Sequence, residues 1–156
     1  MCKDSFLFRP AILDDLSVLK IFEQGVISAE RPFDSTLKPD PISYYNIAEL
    51  ITSPKSDVLV AVYNNKIIAS SYVKILEAKP YLKHSDYAYL GFMYVMPQFR
   101  GKGINKAIIE EIKKWCSSKG IYELRLDVYS ANISAIRAYE KAGFQNHLVN
   151  MRLTIK

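Results

Sequence analysis

The feature that most limits how this chain can fold is an apolar run that leads through two glycines into a helical pattern. "YAYLGFMYV", Tyr87 to Val95, is apolar at almost every position, which is typical of a strand covered on both faces of a sheet. "MPQFRGKGIN" follows it, and apolar side chains then recur at helical spacing: Ile104, Ile108, Ile112, Trp115 and Cys116. We therefore expect a central strand followed at once by a helix, which Gly120 ends.

The first half of the chain predicts a strand, two helices and a hairpin. The strand spans 5–10, and a second helix is predicted over 42–51. The first helix follows a cap at Asp14 or Asp15 and carries four apolar residues on one face: Leu16, Leu19, Phe22 and Val26. Residues 57–76 predict a hairpin that turns at Asn64-Asn65, because paired asparagines tolerate the positive φ angles of a tight turn.

The rest of the chain adds two strands and a helix. Residues 122–129 alternate between apolar and polar side chains, and residues 144–155 predict a final strand. Between them, a helix begins at Ser130 or Asn132, runs through Lys141 and is closed by Gly143. The element order is β-α-α-β-β-β-α-β-α-β, which places the chain in the α/β (α+β) class.

Composition favours one soluble domain. At 156 residues and 49% hydrophobic content, the chain is long enough for one sizeable core and short for two, so we expect a single domain over 1–156. No leader-like segment opens the chain and no apolar stretch approaches the roughly 20 residues of a membrane span, which predicts a cytoplasmic protein without a membrane partner. Cys2 and Cys116 are far apart and form no Cys-x-x-Cys pair, so neither a disulfide nor a metal site is predicted.

A basic surplus lies in the C-terminal part of the chain. The net charge is +5; residues 97–156 hold +6 (11 Lys and Arg minus 5 Asp and Glu), and residues 1–96 hold −1 (10 minus 11). Such a surplus attracts a polyanion, either a nucleic acid or a phosphorylated cofactor, or is simply a solvated face. No DNA- or RNA-binding motif accompanies it, so we expect no nucleic-acid partner and keep a nucleic-acid-binding module as a rival interpretation.

The pair Gly101 and Gly103 suggests an anion cradle. A Gly-x-Gly turn at a helix N-terminus exposes N–H groups at the positive end of the helix dipole, and glycines let phosphate oxygens approach closely. Taken alone, the pair is equally consistent with a structural turn. The third glycine of a dinucleotide fingerprint is missing, since Lys106 occupies its place, and no Gly-Lys-Ser/Thr of the Walker type occurs.

A second motif lies thirty residues further on. "NISAIRAYEKAGF", placed after "LRLDVYSA" and "QFRGKGIN", resembles the GNAT superfamily of acyl-CoA-dependent N-acyltransferases. Gln98, Gly101 and Gly103 match the pyrophosphate loop of that family. Five residues match its later helix motif: Asn132, Ala135, Tyr139, Gly143 and Phe144. The resemblance covers about 87–144 and departs from the family at Asn105, where many members carry glycine.

The resemblance implies a mixed, twisted sheet that splays at its middle, with acetyl-CoA in the gap. Backbone N–H groups in the loop would hold the pyrophosphate, those of Arg100, Gly101, Lys102, Gly103 and Ile104. Main-chain groups of Met93, Tyr94 and Val95 would pair with the pantetheine arm. Asn132 would contact that arm or simply cap its helix. Tyr139 would protonate the departing thiolate or be an ordinary core aromatic.

The reaction also needs a route for the proton of the attacking amine. Asp127 ends the strand before the Asn132 helix, where some family members place an acidic base. Because Arg125 and Glu123 lie on the same strand face, a structural ion pair is an alternative role. His84 is a second candidate, because histidine titrates near neutral pH, and a water chain is a third possibility. His147 is expected to be structural.

The acceptor is expected to be a small or amino-acid-like primary amine that attacks directly in a ternary complex. The segments that line the acceptor side in this family, 30–40 and 78–89, contain three acids that either attract a cationic amine or are simply solvated at the surface: Glu30, Asp34 and Asp86. Tyrosines in or near these segments can wall in an amine: Tyr44, Tyr45, Tyr81 and Tyr89. The alternatives are a protein N-terminal or lysine acetyltransferase and a non-catalytic acyl-CoA sensor. The resemblance also implies a possible homodimer through the final strands.

Overall fold

A computed structural model describes residues 5–156, so Cys2 lies outside the described part. Within it the sheet has five strands in the order β1 to β5: β1 (Leu7–Pro10), β2 (Ser56–Tyr63), β3 (Lys66–Glu77), β4 (Asp86–Val95) and β5 (Leu124–Arg125). Neighbours are antiparallel except β4 and β5, which are parallel. The mixed sheet with β4 inside it is confirmed.

Four α-helices of the described chain accompany the sheet: α1 (Leu16–Glu30), α2 (Ile47–Thr52), α3 (Ile104–Ser118) and α4 (Ile133–Lys141). Single 3-10 turns precede or follow them, at Leu13–Asp15, Arg31–Phe33 and Pro97–Phe99. The observed order of the described elements is β-α-α-β-β-β-α-β-α, which lacks the last predicted strand.

The sheet is covered on both faces, because successive side chains of a strand point to opposite sides. The first core cluster joins α3 to one face and includes Leu59, Ala61, Leu90, Ile104, Ile108, Ile109, Ile112 and Cys116. The second joins α1 and α2 to the other face and includes Leu19, Phe22, Val26, Ile47, Val58, Val60 and Phe92. The apolar stripes predicted for α1 and α3 therefore form the two halves of the core.

Several local predictions are confirmed. Asn64 and Asn65 have φ angles of 48° and 62° and form the hairpin turn. The Asn132 side chain caps α4. Asp15 stands at the N-terminus of α1 but does not cap it, because its carboxylate binds Arg9 at 2.7 Å and accepts the N–H of Ile12 at 2.9 Å.

The second helix begins later than predicted, at Ile47 rather than at residue 42. The reason is Glu23, a buried carboxylate on α1 that accepts the backbone N–H groups of Tyr44 at 3.1 Å and Tyr45 at 2.8 Å. Hydrogen bonds to a charged group contribute about 1.5–3 kcal/mol each, enough to hold these two residues outside a helix. Asn46 then caps the shorter helix through the N–H of Glu49.

The C-terminal strand predictions are partly wrong. Of the stretch 122–129, only Leu124–Arg125 joins the sheet, and residues 144–155 form no strand. No described residue after Ile121 is buried. A strand pattern becomes a strand only where a partner edge meets it, and no described strand does so here.

None of the helices described in residues 5–156 is long and apolar enough to cross a membrane. Within the same residues, no group of three or more His, Cys, Asp or Glu side chains is arranged to hold a metal ion.

Candidate active site

The sheet opens between β4 and β5. The two strands pair over only two residues each, Ala88 with Leu124 and Tyr89 with Arg125. Beyond this point β4 continues through residues 90–95, and no described strand lies on that side. Backbone groups along this free edge can pair with an extended ligand as another strand would. We call this opening the β4–β5 gap; the main chain of residues 93–95 lies along it.

On its other side, β4 is distorted by a bulge. The pairing of β3 with β4 shifts register between Ser70 and Tyr72, and Phe92 has a φ angle of 56°. A non-glycine residue in this region costs about 1–3 kcal/mol, so the surrounding structure must compensate for it. Two buried serines stabilise the bulge, because the hydroxyl of Ser71 donates to the Gly91 carbonyl at 2.9 Å and that of Ser70 donates to the Phe92 carbonyl at 3.4 Å. The bulge thus sits immediately before the backbone that lines the gap.

The Gly-x-Gly loop connects the gap to α3. Gly101 and Gly103 have φ angles of 77° and 78°, and a Cβ atom built on either would meet nothing within 4 Å. The loop therefore needs glycine for its left-handed backbone, and it presents an uncrowded surface. Because the first N–H groups of α3 lack intrahelical acceptors, this surface is an anion-binding geometry.

Two cations flank the loop. The Arg100 Nε donates to the Val95 carbonyl at 3.0 Å, which ties the loop to the end of β4, and its guanidinium lies 5.9 Å from the Tyr94 ring centroid. The Lys102 ammonium lies 5.7 Å from the ring centroid of Phe99. Both side chains add positive charge beside the helix N-terminus. Gln98 is exposed on the 3-10 turn before the loop.

Tyr139 lies on α4 and packs, half-buried, against the same core cluster as Met93 and Val95. Its ring contacts Phe144 edge to face, with centroids 5.8 Å apart. Burial, and secondarily the negative charge of Glu30, raises the pKa of Tyr139 to about 12. The phenol is therefore protonated at neutral pH, as a proton donor must be.

Asn132 occupies the N-cap position of α4, and its Oδ1 accepts the N–H of Ala135 at 3.2 Å. The side chain acts as a helix cap, the alternative role considered from the sequence. The cap uses only the amide oxygen, so it leaves the NH₂ group available as a hydrogen-bond donor.

Asp127 is exposed and accepts a hydrogen bond from the Tyr89 hydroxyl at 3.0 Å. Tyr89 is at the last β4 position paired with β5, so this carboxylate stands where the gap begins. Burial and then the charge of Asp127 raise the pKa of Tyr72 to about 12, and the same two causes raise the pKa of Tyr89. Asp127 thus acts electrostatically on two tyrosines.

The neighbours of Asp127 form a separate cluster. The Arg125 Nε binds the Glu123 Oε1 at 3.0 Å, and the His84 Nε2 lies 2.7 Å from the Glu123 Oε2. The expected alternative, an ion pair between Arg125 and Asp127, is not the pairing that the structure contains. His84 is engaged with Glu123 before β4 begins, away from the open residues 90–95. His147 is exposed beyond α4.

Glu30 ends α1 among four tyrosines. Burial raises the pKa of Glu30, and the nearby Tyr44 hydroxyl partly offsets this rise. That hydroxyl is buried and makes no hydrogen bond of standard geometry. The negative charge of Glu30 in turn contributes, after burial, to raised pKa values of Tyr44, Tyr45, Tyr129 and Tyr139. The Tyr129 hydroxyl also donates to Asp34 at 3.3 Å. An acidic, aromatic surface therefore lies within electrostatic reach of Tyr139.

The profile of the acetyltransferase (GNAT) family matches residues 24–144. The chain belongs to this family. The match contains the gap, the Gly-x-Gly loop and α4, and it confirms the resemblance inferred from the two motifs.

Curated relatives of this GNAT chain are acetyltransferases of different acceptors. Bovine (Bos taurus) thialysine N-epsilon-acetyltransferase is 38% identical over 127 residues, 81% of this chain and 70% of the relative. The mouse (Mus musculus) protein of the same name is 40% identical over 58 residues, and Escherichia coli streptothricin acetyltransferase 35% over 60. These two matches take in 37% and 38% of this chain and 34% of each relative, so the chain spans about a third of their length.

Solved structures show the same fold. A tetramutant of the BH1408 protein from Bacillus halodurans superposes with a TM-score of 0.86, at 24% identity over 96% of this chain and 99% of that chain. A predicted acetyltransferase from Clostridium acetobutylicum, solved with acetyl-CoA, gives a TM-score of 0.73 at 20% identity over 96% of each chain. At these identities the likeness establishes the GNAT fold.

The structure brings together some of the residues named from the sequence and separates others. Glu30, Tyr44 and Tyr45 interact with one another, whereas Tyr81 is 82% exposed and Asp86 begins β4, at the end opposite the Gly-x-Gly loop. Two tyrosines were not singled out from the sequence: Tyr72 and Tyr129. Their only local signal is alternation along a strand pattern, which does not distinguish a site residue from any other aromatic.

Proposed function

We propose that residues 1–156 form a single N-acetyltransferase domain that moves an acetyl group from acetyl-CoA to the primary amine of a small molecule. The observation that carries this proposal is the free edge of β4, which runs directly into the Gly-x-Gly loop at the N-terminus of α3. A ligand that joins an extended arm to a polyanion would fit both features: its arm would pair with the β4 edge, and its polyanion would bind the Gly-x-Gly loop. Membership of the GNAT family supports the same donor.

The residues present fit coenzyme A. Backbone N–H groups of residues 100–104, with Arg100 and Lys102 beside them, would hold the pyrophosphate, and Gln98 lies on the turn that leads into them. The main chain of Met93, Tyr94 and Val95 would hydrogen-bond the pantetheine arm, with the free amide NH₂ of Asn132 as a further donor. Bound acetyl-CoA would supply the thioester carbonyl that the acceptor attacks.

Two side chains would move the protons. As the amine nitrogen bonds to the acetyl carbon and the carbon–sulfur bond breaks, Tyr139 would protonate the sulfur and Asp127 would take the proton of the amine. The raised pKa of Tyr139 suits the first role, because the phenol stays protonated until the thiolate forms. Exposure of Asp127 at the start of the gap suits the second, directly or through water.

The acceptor side favours a small cationic amine. Glu30 and Asp127 supply negative charge, and Tyr44, Tyr45 and Tyr89 supply aromatic faces that attract a cation. Relatives named for thialysine and streptothricin support a small acceptor over a protein N-terminus or a lysine side chain.

The test is a thiol-release screen of amines with acetyl-CoA as donor. We expect thiol release that depends on both the acceptor and acetyl-CoA, with small diamines and amino-acid-like amines above lysine-containing peptides. Binding of acetyl-CoA without turnover of any amine would instead identify an acyl-CoA sensor. Tight oligonucleotide binding without affinity for acetyl-CoA would overturn the proposal.

A further inference from the structure

Lys74 on β3 places a positive charge beside the tyrosines of the acceptor side. In the antiparallel register of β3 and β4 it lies directly opposite Tyr89, so both side chains leave the same face of the sheet. Its Nζ lies 5.6 Å from the ring centroid of Tyr72 and 5.8 Å from that of Tyr89. The side chain is half-buried, so the ammonium is held against the two rings.

No neighbouring carboxylate neutralises this charge. Within residues 5–156, the Lys74 side chain takes part in no ion pair and no hydrogen bond. Glu49 on α2 lines a cleft together with Lys74, but its carboxylate accepts from the Asn46 Nδ2 at 3.1 Å instead. A charged group that is partly removed from water normally has a partner of opposite sign, so this ammonium is available to an anion.

The cleft that Lys74 lines has a volume of about 240 Å³. This is below the roughly 300–1,000 Å³ of pockets for drug-sized ligands, so it suits part or all of a molecule the size of an amino acid. Its charged lining consists of two lysines and one glutamate: Lys55, Lys74 and Glu49. One positive charge is left over, which a single carboxylate neutralises and the nearly double charge of a phosphate monoester exceeds.

Tyr89 stands between charges of opposite sign. Asp127 accepts a hydrogen bond from its hydroxyl at 3.0 Å, whereas the Lys74 ammonium faces its ring. A zwitterionic acceptor has the complementary pair, an amine for Asp127 and a carboxylate for Lys74. Because the Tyr89 ring separates the two charges, an amine several bonds from the carboxylate fits better than an α-amine. A diamine would instead bring a second cation towards Lys74, and like charges repel.

We infer that Lys74 selects the acceptor by binding its carboxylate, so that the substrate class is an amino acid with an amine on its side chain. The Nζ of Lys74 donates to the carboxylate, and the side-chain amine lies towards Asp127. Lys74 determines specificity and moves no proton of the reaction. The inference deepens the proposed function and rests on it for the chemistry at the amine.

The first test compares acceptors that differ only in the carboxylate. Lysine, ornithine and 2,4-diaminobutyrate are each paired with the diamine of the same chain: 1,5-diaminopentane, 1,4-diaminobutane and 1,3-diaminopropane. Thiol release from acetyl-CoA gives kcat/KM for all six. In at least one pair we expect the amino acid to exceed the diamine about 10-fold or more, the lower range for a hydrogen bond between charged groups. Diamines that equal or exceed their amino acids in every pair overturn the inference.

The second test changes the charge of Lys74. Lys74→Met keeps an unbranched side chain on the rings, and it should raise KM for the amino acid about 10-fold. The same change should lower KM for the diamine, because the like charge is gone; a merely structural role would not shift the two values in opposite directions. Lys74→Arg keeps the cation and should keep the preference.

Lys66→Met is the matched control, at the exposed start of the same strand, and should retain the wild-type preference. KM for acetyl-CoA should be the same in all of these variants. An undiminished preference in Lys74→Met, or an equal loss in Lys66→Met, contradicts the role of Lys74.

Binding measured without acetyl-CoA separates this inference from the proposed function. Isothermal titration calorimetry gives Kd for the three pairs with wild-type protein and Lys74→Met, and the ratio within a pair should follow the kinetic preference. If no amine is acetylated, the proposed function fails and the Kd ratios still decide the inference. If diamines are acetylated without a preference for amino acids, the proposed function stands and the inference fails. Tighter binding of 5-aminopentyl phosphate than of lysine, lost in Lys74→Met, would assign Lys74 to a phosphate and overturn the amino-acid class.

Discussion

At the scale of single residues, the decisive property of Tyr139 is that its phenol resists ionisation. Tyr139→Phe keeps the ring that packs on Phe144 and removes only the hydroxyl. We expect kcat to fall roughly 100-fold, the lower range for loss of a general acid, while the melting temperature is unchanged. The exposed Tyr122 provides the control, since Tyr122→Phe should leave both quantities unaltered. If Tyr139→Phe cleaves acetyl-CoA at the wild-type rate in the presence of the true acceptor, Tyr139 is not the general acid.

Asp127 is tested by a change that keeps its hydrogen bond and removes its charge. Asp127→Asn can still accept from Tyr89, so we expect an intact fold, a lower rate and an altered pH profile. Burial is the main cause of the raised pKa values of Tyr72 and Tyr89, and the charge of Asp127 adds to it. Ultraviolet titration should therefore show tyrosines ionising at lower pH in the variant. Glu123→Gln, in the neighbouring cluster, is the control and should keep the wild-type pH profile. If Asp127→Asn also gives the wild-type pH profile, Asp127 has only a structural role.

At the scale of elements, the unit that matters is the strand, loop and helix formed by β4, the Gly-x-Gly turn and α3. Gly103→Ala forces a Cβ into left-handed backbone and should cost about 1–2 kcal/mol of folding free energy. Gly120 at the end of α3 has a similar φ angle, 70°, and equally open surroundings, so Gly120→Ala should cost about as much. KM for acetyl-CoA and the free energy of unfolding in urea are measured for both variants. Only Gly103→Ala should raise KM for acetyl-CoA. Equal KM values in the two variants would show that the loop is merely a turn.

At the scale of the whole molecule, the basic surplus of residues 97–156 should act on the donor through long-range attraction. Raising sodium chloride from about 0.05 to about 0.5 M shortens the screening length well below the size of the domain, so KM for acetyl-CoA should rise several-fold. Acetyl-pantetheine lacks the phosphates and serves as the control, with a KM that salt leaves nearly constant. A similar salt response for both donors would mean that the surplus is only a solvated face.

The elements that could be predicted are those specified by neighbours in the chain. The Asn64-Asn65 turn, the apolar stripe of α3 and the Asn132 cap depend on residues that lie close together in the sequence, so local pattern predicts them. The start of α2 could not be predicted in this way. Glu23 lies some twenty residues earlier in the chain and competes for the N–H groups of Tyr44 and Tyr45.

The same division holds for the candidate site. The sequence alone determined the Gly-x-Gly loop and the helix motif with Tyr139, because each consists of residue types whose backbone or chemistry is needed at short, fixed spacing. Only the tertiary structure decided that Asp127 meets Tyr89, that Glu30 acts on Tyr139, and that the strand pattern of residues 144–155 stays outside the sheet. These outcomes depend on contacts between groups and strand edges that are far apart in the sequence. A local sequence pattern does not specify such contacts.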